Sequence, residues 1–228
     1  MKRFYLLFKR ELRLQWAGVE FYLAALLFGC FLIFISAYAF SNSPNNADIY
    51  KLAGLFWVII LFSVQLTVLQ ISWRSEESEL EIALLPVSPT ELFFARFAAV
   101  LFCAYLLALL SAAVFFLFFN LSINISIISL LALILFLSCI AQVSIGLASD
   151  VMTKSLSQKT RIISVVIAMP ILFPVFVGAV SATIVTLGKS IAHTSVNLYT
   201  FPSAGILFIS GFDLIFIAAG IFIYEITK

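Results

Sequence analysis

Long stretches without polar residues alternate along this chain with short segments dense in charge. Charge-free apolar runs cover Phe21 to Phe40 and Leu52 to Ser72, and from Phe97 to Ser149 there is not one charged residue. Two further apolar runs cover Ile162 to Leu187 and Ala204 to Tyr224. About 20 consecutive apolar residues cross the hydrocarbon core of a bilayer as a helix. As a single helix the 97–149 run would reach about 80 Å at 1.5 Å per residue, so it must double back. Asn120-Leu-Ser-Ile-Asn124 is its one cluster of poor helix formers and predicts the turn. The pattern predicts a single domain, residues 1–228, with six transmembrane helices near 21–40, 52–72, 97–119, 125–149, 162–187 and 204–224.

Composition turns this pattern into a membrane assignment. Apolar residues make up 64% of the chain, charged residues 11%, and mean hydropathy is +1.18. A soluble domain carries about twice that share of charge, because it must cover its surface with polar groups. The surface here is expected to face lipid.

The distribution of charge then sets orientation. With six spans, one side carries the N-terminal segment, the 73–96 loop, the 150–161 loop and the C-terminus. Eleven basic residues lie there: Lys2, Arg3, Lys9, Arg10, Arg13, Arg74, Arg96, Lys154, Lys159, Arg161 and Lys228. The opposite side has only Lys51 and Lys189. Basic residues accumulate on cytoplasmic loops, so both termini are expected inside.

The first 16 residues differ from the rest. On a helix, Phe4, Tyr5, Phe8, Leu12 and Trp16 share one face while Lys2, Arg3, Lys9, Arg10 and Arg13 gather on another. That is the pattern of an amphipathic helix lying in the membrane interface, basic side toward anionic headgroups. Ala37-Tyr38-Ala39 offers a rival reading as a signal-peptide cleavage site. The apolar stretch before it is too long for a signal sequence.

Candidate chemistry concentrates in the 73–96 loop. It holds Arg74 and five of the eleven acids, Glu76, Glu77, Glu79, Glu81 and Glu91. Acids beside an anionic membrane surface add repulsion, so this density calls for a partner. Leu80, Ile82, Leu84 and Leu85 form an apolar edge that ends at Pro86. Ser88-Pro89-Thr90-Glu91 pairs a cap residue with Pro at the first helical position and a nearby Glu, predicting a helix start. The expectation is a short helix, a break, and a capped helix leading into the third span. A plain solvated loop is the alternative.

Elsewhere polar chemistry is sparse. Asp213 lies near the middle of the last span, where an acid is costly and by default a functional candidate. It could instead pack against Gln65, Gln70 or Gln142. Pro170 and Pro174 are expected to kink or break the fifth span. Gly188-Lys189-Ser190 mimics the end of a phosphate-binding loop, but Thr183 stands where that motif needs Gly. His193, the sole histidine, has no neighbours at metal-ligand spacing, and Cys30, Cys103 and Cys139 all fall in apolar runs. There is no nucleophile–base pair or paired carboxylate set, so no enzymatic activity is expected.

The Phe8-Lys-Arg-Glu-Leu-Arg13 opening segment, the six spans and the Leu80-Glu81…Leu84-Leu85-Pro86 loop resemble the membrane subunits of type-2 ABC exporters. With Arg96 ten residues past Pro86, aromatic residues around Trp57, and the Pro170/Pro174 spacing, the chain is similar to the CcmB family, heme exporter protein B of cytochrome c maturation. The resemblance implies an all-α ABC-2 type permease fold whose 73–96 segment couples to a separate ATPase. It further implies a CcmA-like ATPase, a heme-handling CcmC-like membrane protein, a small CcmD-like subunit and a second copy of this chain. Heme would be handled by that complex, with no cofactor bound by this chain and no nucleic acid involved. It places the protein in a bacterial inner membrane. Other readings are an ABC-2 permease for a lipid, glycan or drug, and a non-transporting scaffold.

Overall fold

Backbone that crosses a bilayer must satisfy every N–H and C=O within itself, which restricts apolar segments of this length to helices. In the computed structural model the described residues are 2–40, 48–83, 88–119, 125–153, 158–191 and 203–226, and all their regular structure is helical. The elements in order are α1 (Lys2–Trp16), α2 (Val19–Phe40), α3 (Asp48–Ala83), α4 (Pro89–Phe118), α5 (Ile125–Thr153), α6 (Gln158–Ile191) and α7 (Ser203–Ile226). Six of them, α2 to α7, are long and apolar enough to cross a membrane. Their apolar windows are Val19–Ala39, Tyr50–Val68, Pro89–Phe118, Ile127–Met152, Met169–Leu187 and Ala204–Ile226. The turn expected at 120–124 and the histidine at 193 lie outside the described residues.

Helices α3, α4, α5 and α6 form the centre, with α2 against α3 and α4 and with α7 against α5 and α6. Trp57 is the largest of the fully buried side chains, 1% exposed and packed between Phe56 and Phe176 at ring separations of 5.5 and 6.0 Å. An indole N–H in hydrocarbon needs an acceptor. Trp57 Nε1–H donates to Thr183 Oγ1 at 2.8 Å, joining α3 to α6. Thr183, which breaks the phosphate-loop pattern, is thus a structural acceptor. Helices α2 and α7 turn Leu27, Phe31, Phe34, Leu207, Leu214 and Phe222 outward, a lipid-facing surface.

Close approach between helices depends on small residues. A Cβ placed on Gly205 of α7 would lie 2.7 Å from the Gly178 carbonyl oxygen of α6. Only a residue without a side chain lets these two backbones meet. Of the kink or break expected at Pro170 and Pro174, the break does not occur, since α6 continues through both from Gln158 to Ile191. Neighbouring helices compensate for the hydrogen bonds that proline removes inside a membrane.

The central helices also differ from the sequence-based boundaries. The segment read as a loop from residue 73 is the end of α3, which runs unbroken to Ala83. Arg74 to Ala83 contains no Gly or Pro to stop the helix. So there is no separate short helix after the second span; that span and the acidic segment are one rod.

Candidate functional site

Two helices outrun the apolar layer. Helix α3 continues 15 residues past Val68, about 22 Å at 1.5 Å per residue. Helix α6 begins 11 residues before Met169, about 16 Å more. Because successive spans alternate in direction, both overhangs leave the same end of the bundle, where α1, the start of α4 and the ends of α5 and α7 also lie. The α3 overhang carries Glu76, Glu77, Glu79 and Glu81; the α6 overhang carries Lys159 and Arg161. The Trp57–Thr183 hydrogen bond joins the two helices within the bundle. The side chains of residues 69–87 and 153–168 lie outside the described residues, as does the backbone of Leu84, Leu85 and Pro86.

Helix α4 starts from this end. Ser88 is in an extended conformation (φ −69°, ψ 145°), and its Oγ accepts from the Glu91 backbone N–H at 3.3 Å. Pro89 occupies the first turn, where its missing N–H costs nothing. Glu91 is exposed in that turn, favourably placed against the helix dipole.

Two turns further on comes the densest polar contact among the described residues. Arg96, counted above as a loop cation, is 3% exposed. The early start of α4 at Pro89 carries it inside the bundle. Its Nε lies 3.5 Å from Glu11 Oε2 of α1, and its Nη1 donates to Tyr224 Oη of α7 at 2.9 Å. Asp150, near the end of α5, is within electrostatic reach of Tyr224. The Phe93 ring closes the cluster, edge to face with Tyr224 at 5.3 Å and against Gly220, where any side chain would displace it.

Helix α1 owes its position to this contact. Leu7, Glu11 and Gln15 are its buried positions, spaced i, i+4 and i+8, and they face α4. Phe4, Tyr5 and Trp16 are exposed on its apolar side. Lys9 and Arg13 are exposed, and Arg10 is half-buried with Nη1 3.9 Å from Glu11 Oε1. The side chains of Lys2 and Arg3 lie outside the described residues. Gln15 accepts from the Tyr22 hydroxyl at 2.7 Å, tying α1 also to α2. Glu11 was not singled out from the sequence, since an acid among basic residues on an amphipathic helix reads as a solvated surface charge. The available signal was the i, i+4, i+8 spacing of Leu7, Glu11 and Gln15, a third face that carries an acid and an amide but no base.

Asp213 stands apart from this end. It is 4% exposed and faces the α5 side of α7, with Cys139 within electrostatic reach. Neither carboxylate oxygen has a hydrogen-bond partner among the described residues, so the pairing weighed with Gln65 or Gln142 is not a hydrogen bond. The Gln70 side chain is outside the described residues. Among those residues no group of three His, Cys, Asp or Glu side chains has the arrangement of a metal site. All three cysteines are free thiols.

No curated protein matches the chain. A family model described as CcmB protein matches residues 2–217, nearly its whole length, from the start of α1 into α7. On that match, and with a bundle of six apolar helices preceded by a surface helix, the chain belongs to the CcmB family.

Proposed function

We propose that this chain is the membrane permease subunit of an ABC transporter complex serving cytochrome c maturation, with heme export or release of a heme-loaded chaperone as its task. The family match over residues 2–217 carries the reading. A separate CcmA-like ATPase supplies hydrolysis, CcmC-like and CcmD-like membrane subunits handle heme beside it, and a second copy of this chain completes the core. The host membrane is the bacterial inner membrane, with both termini in the cytoplasm.

The mechanical part of the proposal follows from the α3 rod. Its acidic overhang, and the Leu84-Leu85-Pro86 segment after it, form the coupling element that docks on the ATPase. Acidic side chains meet basic groups there, and the apolar edge fills a groove. Force applied at Glu76 to Glu81 travels along a continuous helix into the bundle and through the Ser88 cap into α4. Lys159 and Arg161, on the α6 overhang at the same end of the bundle, offer the acids an internal partner as well, so both overhangs belong in any test.

Affinity purification of the full chain in mild detergent, with identification of bound subunits, tests the proposal. An ABC ATPase together with a heme-handling membrane protein is the expected result. Recovery of an ATPase with unrelated cargo proteins would favour a permease for a lipid, glycan or drug. Recovery of no ATPase would overturn the proposal.

A further inference from the structure

We infer that the Glu11–Arg96–Tyr224 cluster is a mechanical latch that makes α1, α4 and the end of α7 move as one body. The inference deepens the permease reading above and rests on it for its purpose, though not for its geometry.

Three observations lead to it. The contact joins three helices from distant parts of the chain through one guanidinium, with distances of 3.5 Å to Glu11 and 2.9 Å to Tyr224. All three groups are almost fully removed from solvent, with Glu11 and Arg96 at 3% and Tyr224 at 3% exposure. And Arg96 stands two turns inside the helix that begins directly after the coupling segment.

Apolar contacts between helices are tolerant of sliding, because one methyl group replaces another at little cost. A buried ion pair is not. Moving Glu11 by one helical turn would take its carboxylate away from the Arg96 guanidinium in a low-dielectric site. Such a pair therefore fixes register between α1 and α4 where Leu7 alone would not. Tyr224 extends the constraint to α7, its ring packed edge to face with Phe93, which in turn sits against Gly220. Displacement of the Ser88 end of α4 then carries α1 along the membrane surface and draws on α7. Helix α1 is not a passive float. Arg96 and Glu11 act here as positioning residues.

The test uses the full chain in lipid nanodiscs, alone and with its ATPase, in a background lacking the three cysteines. Spin labels at exposed Lys9 on α1 and exposed Leu117 on α4 report their separation, since Leu117 lies about 30 Å along the helix from Arg96. The wild-type pair is expected to give one narrow distance distribution, unchanged by nucleotide. Glu11→Gln should broaden it while ATPase co-purification persists, and should lower stimulated ATPase activity about two- to thirtyfold. The exchange Glu11→Arg with Arg96→Glu restores opposite charges, and the Tyr224 hydroxyl can donate to the new carboxylate. This double variant is expected to recover the narrow distribution, which a general folding defect would not. Tyr224→Phe keeps the ion pair and should leave the α1–α4 distance narrow. An equally narrow distribution in Glu11→Gln would overturn the latch. If wild type binds no ATPase, the permease reading fails, and the distance measurement on the chain alone still decides the latch.

Discussion

Arg96 Nε lies 3.5 Å from Glu11 Oε2, with both side chains at most 4% exposed, so the amphipathic N-terminal helix and a long apolar helix are joined by a buried ion pair. Breaking such a pair from one side strands a charge and typically costs about 3–5 kcal/mol, whereas replacing both members by apolar residues is often neutral. Arg96→Met is therefore expected to lower the melting temperature in detergent sharply, and Glu11→Met with Arg96→Met to recover most of the loss. A double variant as unstable as the single one would contradict this account.

Trp57 and Thr183 offer a cleaner pairwise measurement. Trp57→Phe and Thr183→Val each remove the 2.8 Å hydrogen bond. A double-mutant cycle on unfolding should return a coupling of about 0.6 kcal/mol, and no more than about 1.7 kcal/mol, the range known for helix–helix hydrogen bonds in membranes. Additive losses would show that the bond contributes nothing.

The α6–α7 seam depends on a missing side chain. Gly205→Val forces atoms into the Gly178 carbonyl and is expected to destabilise by about 1–3 kcal/mol, as overpacking does. Gly211, in the same helix, has open space around its Cβ position. Gly211→Val should leave thermal stability close to wild type. Equal effects at the two sites would refute the close-approach argument.

The start of α4 is set by Ser88. Ser88→Ala removes the acceptor for the Glu91 N–H and should cost about 1 kcal/mol. Faster hydrogen exchange is expected at residues 90–92, with none beyond Arg96. Exchange spreading along the whole helix would mean that the cap holds more than the first turn.

The docking role of the α3 overhang is testable by charge. Reversal of Glu76, Glu77 and Glu79 to Lys should abolish co-purification with the ATPase, and Lys159→Glu with Arg161→Glu should leave it intact. Undiminished co-purification after the first change removes the docking proposal. Loss with the second change alone would instead mark the acids as internal partners of α6.

The sequence alone determined the six spans and the surface helix, because burial in lipid demands uninterrupted apolar length and nothing else in the chain meets that demand. It also placed the α4 start, since Ser88, Pro89 and Glu91 are local signals read within one turn. The length of α3 was in principle legible: no breaker stands between Trp73 and Ala83, but a change from apolar to acidic residues masks continuity when helices are equated with spans. Partners were beyond its reach. Arg96 looked like a loop cation and Glu11 like a solvated acid until α1 folded onto α4, and Trp57 gave no hint that its acceptor was Thr183. Periodicity records which residues avoid water or lipid, a property of each segment by itself. Which buried polar group meets which is settled by helix register and close approach, and those exist only once the seven helices are assembled.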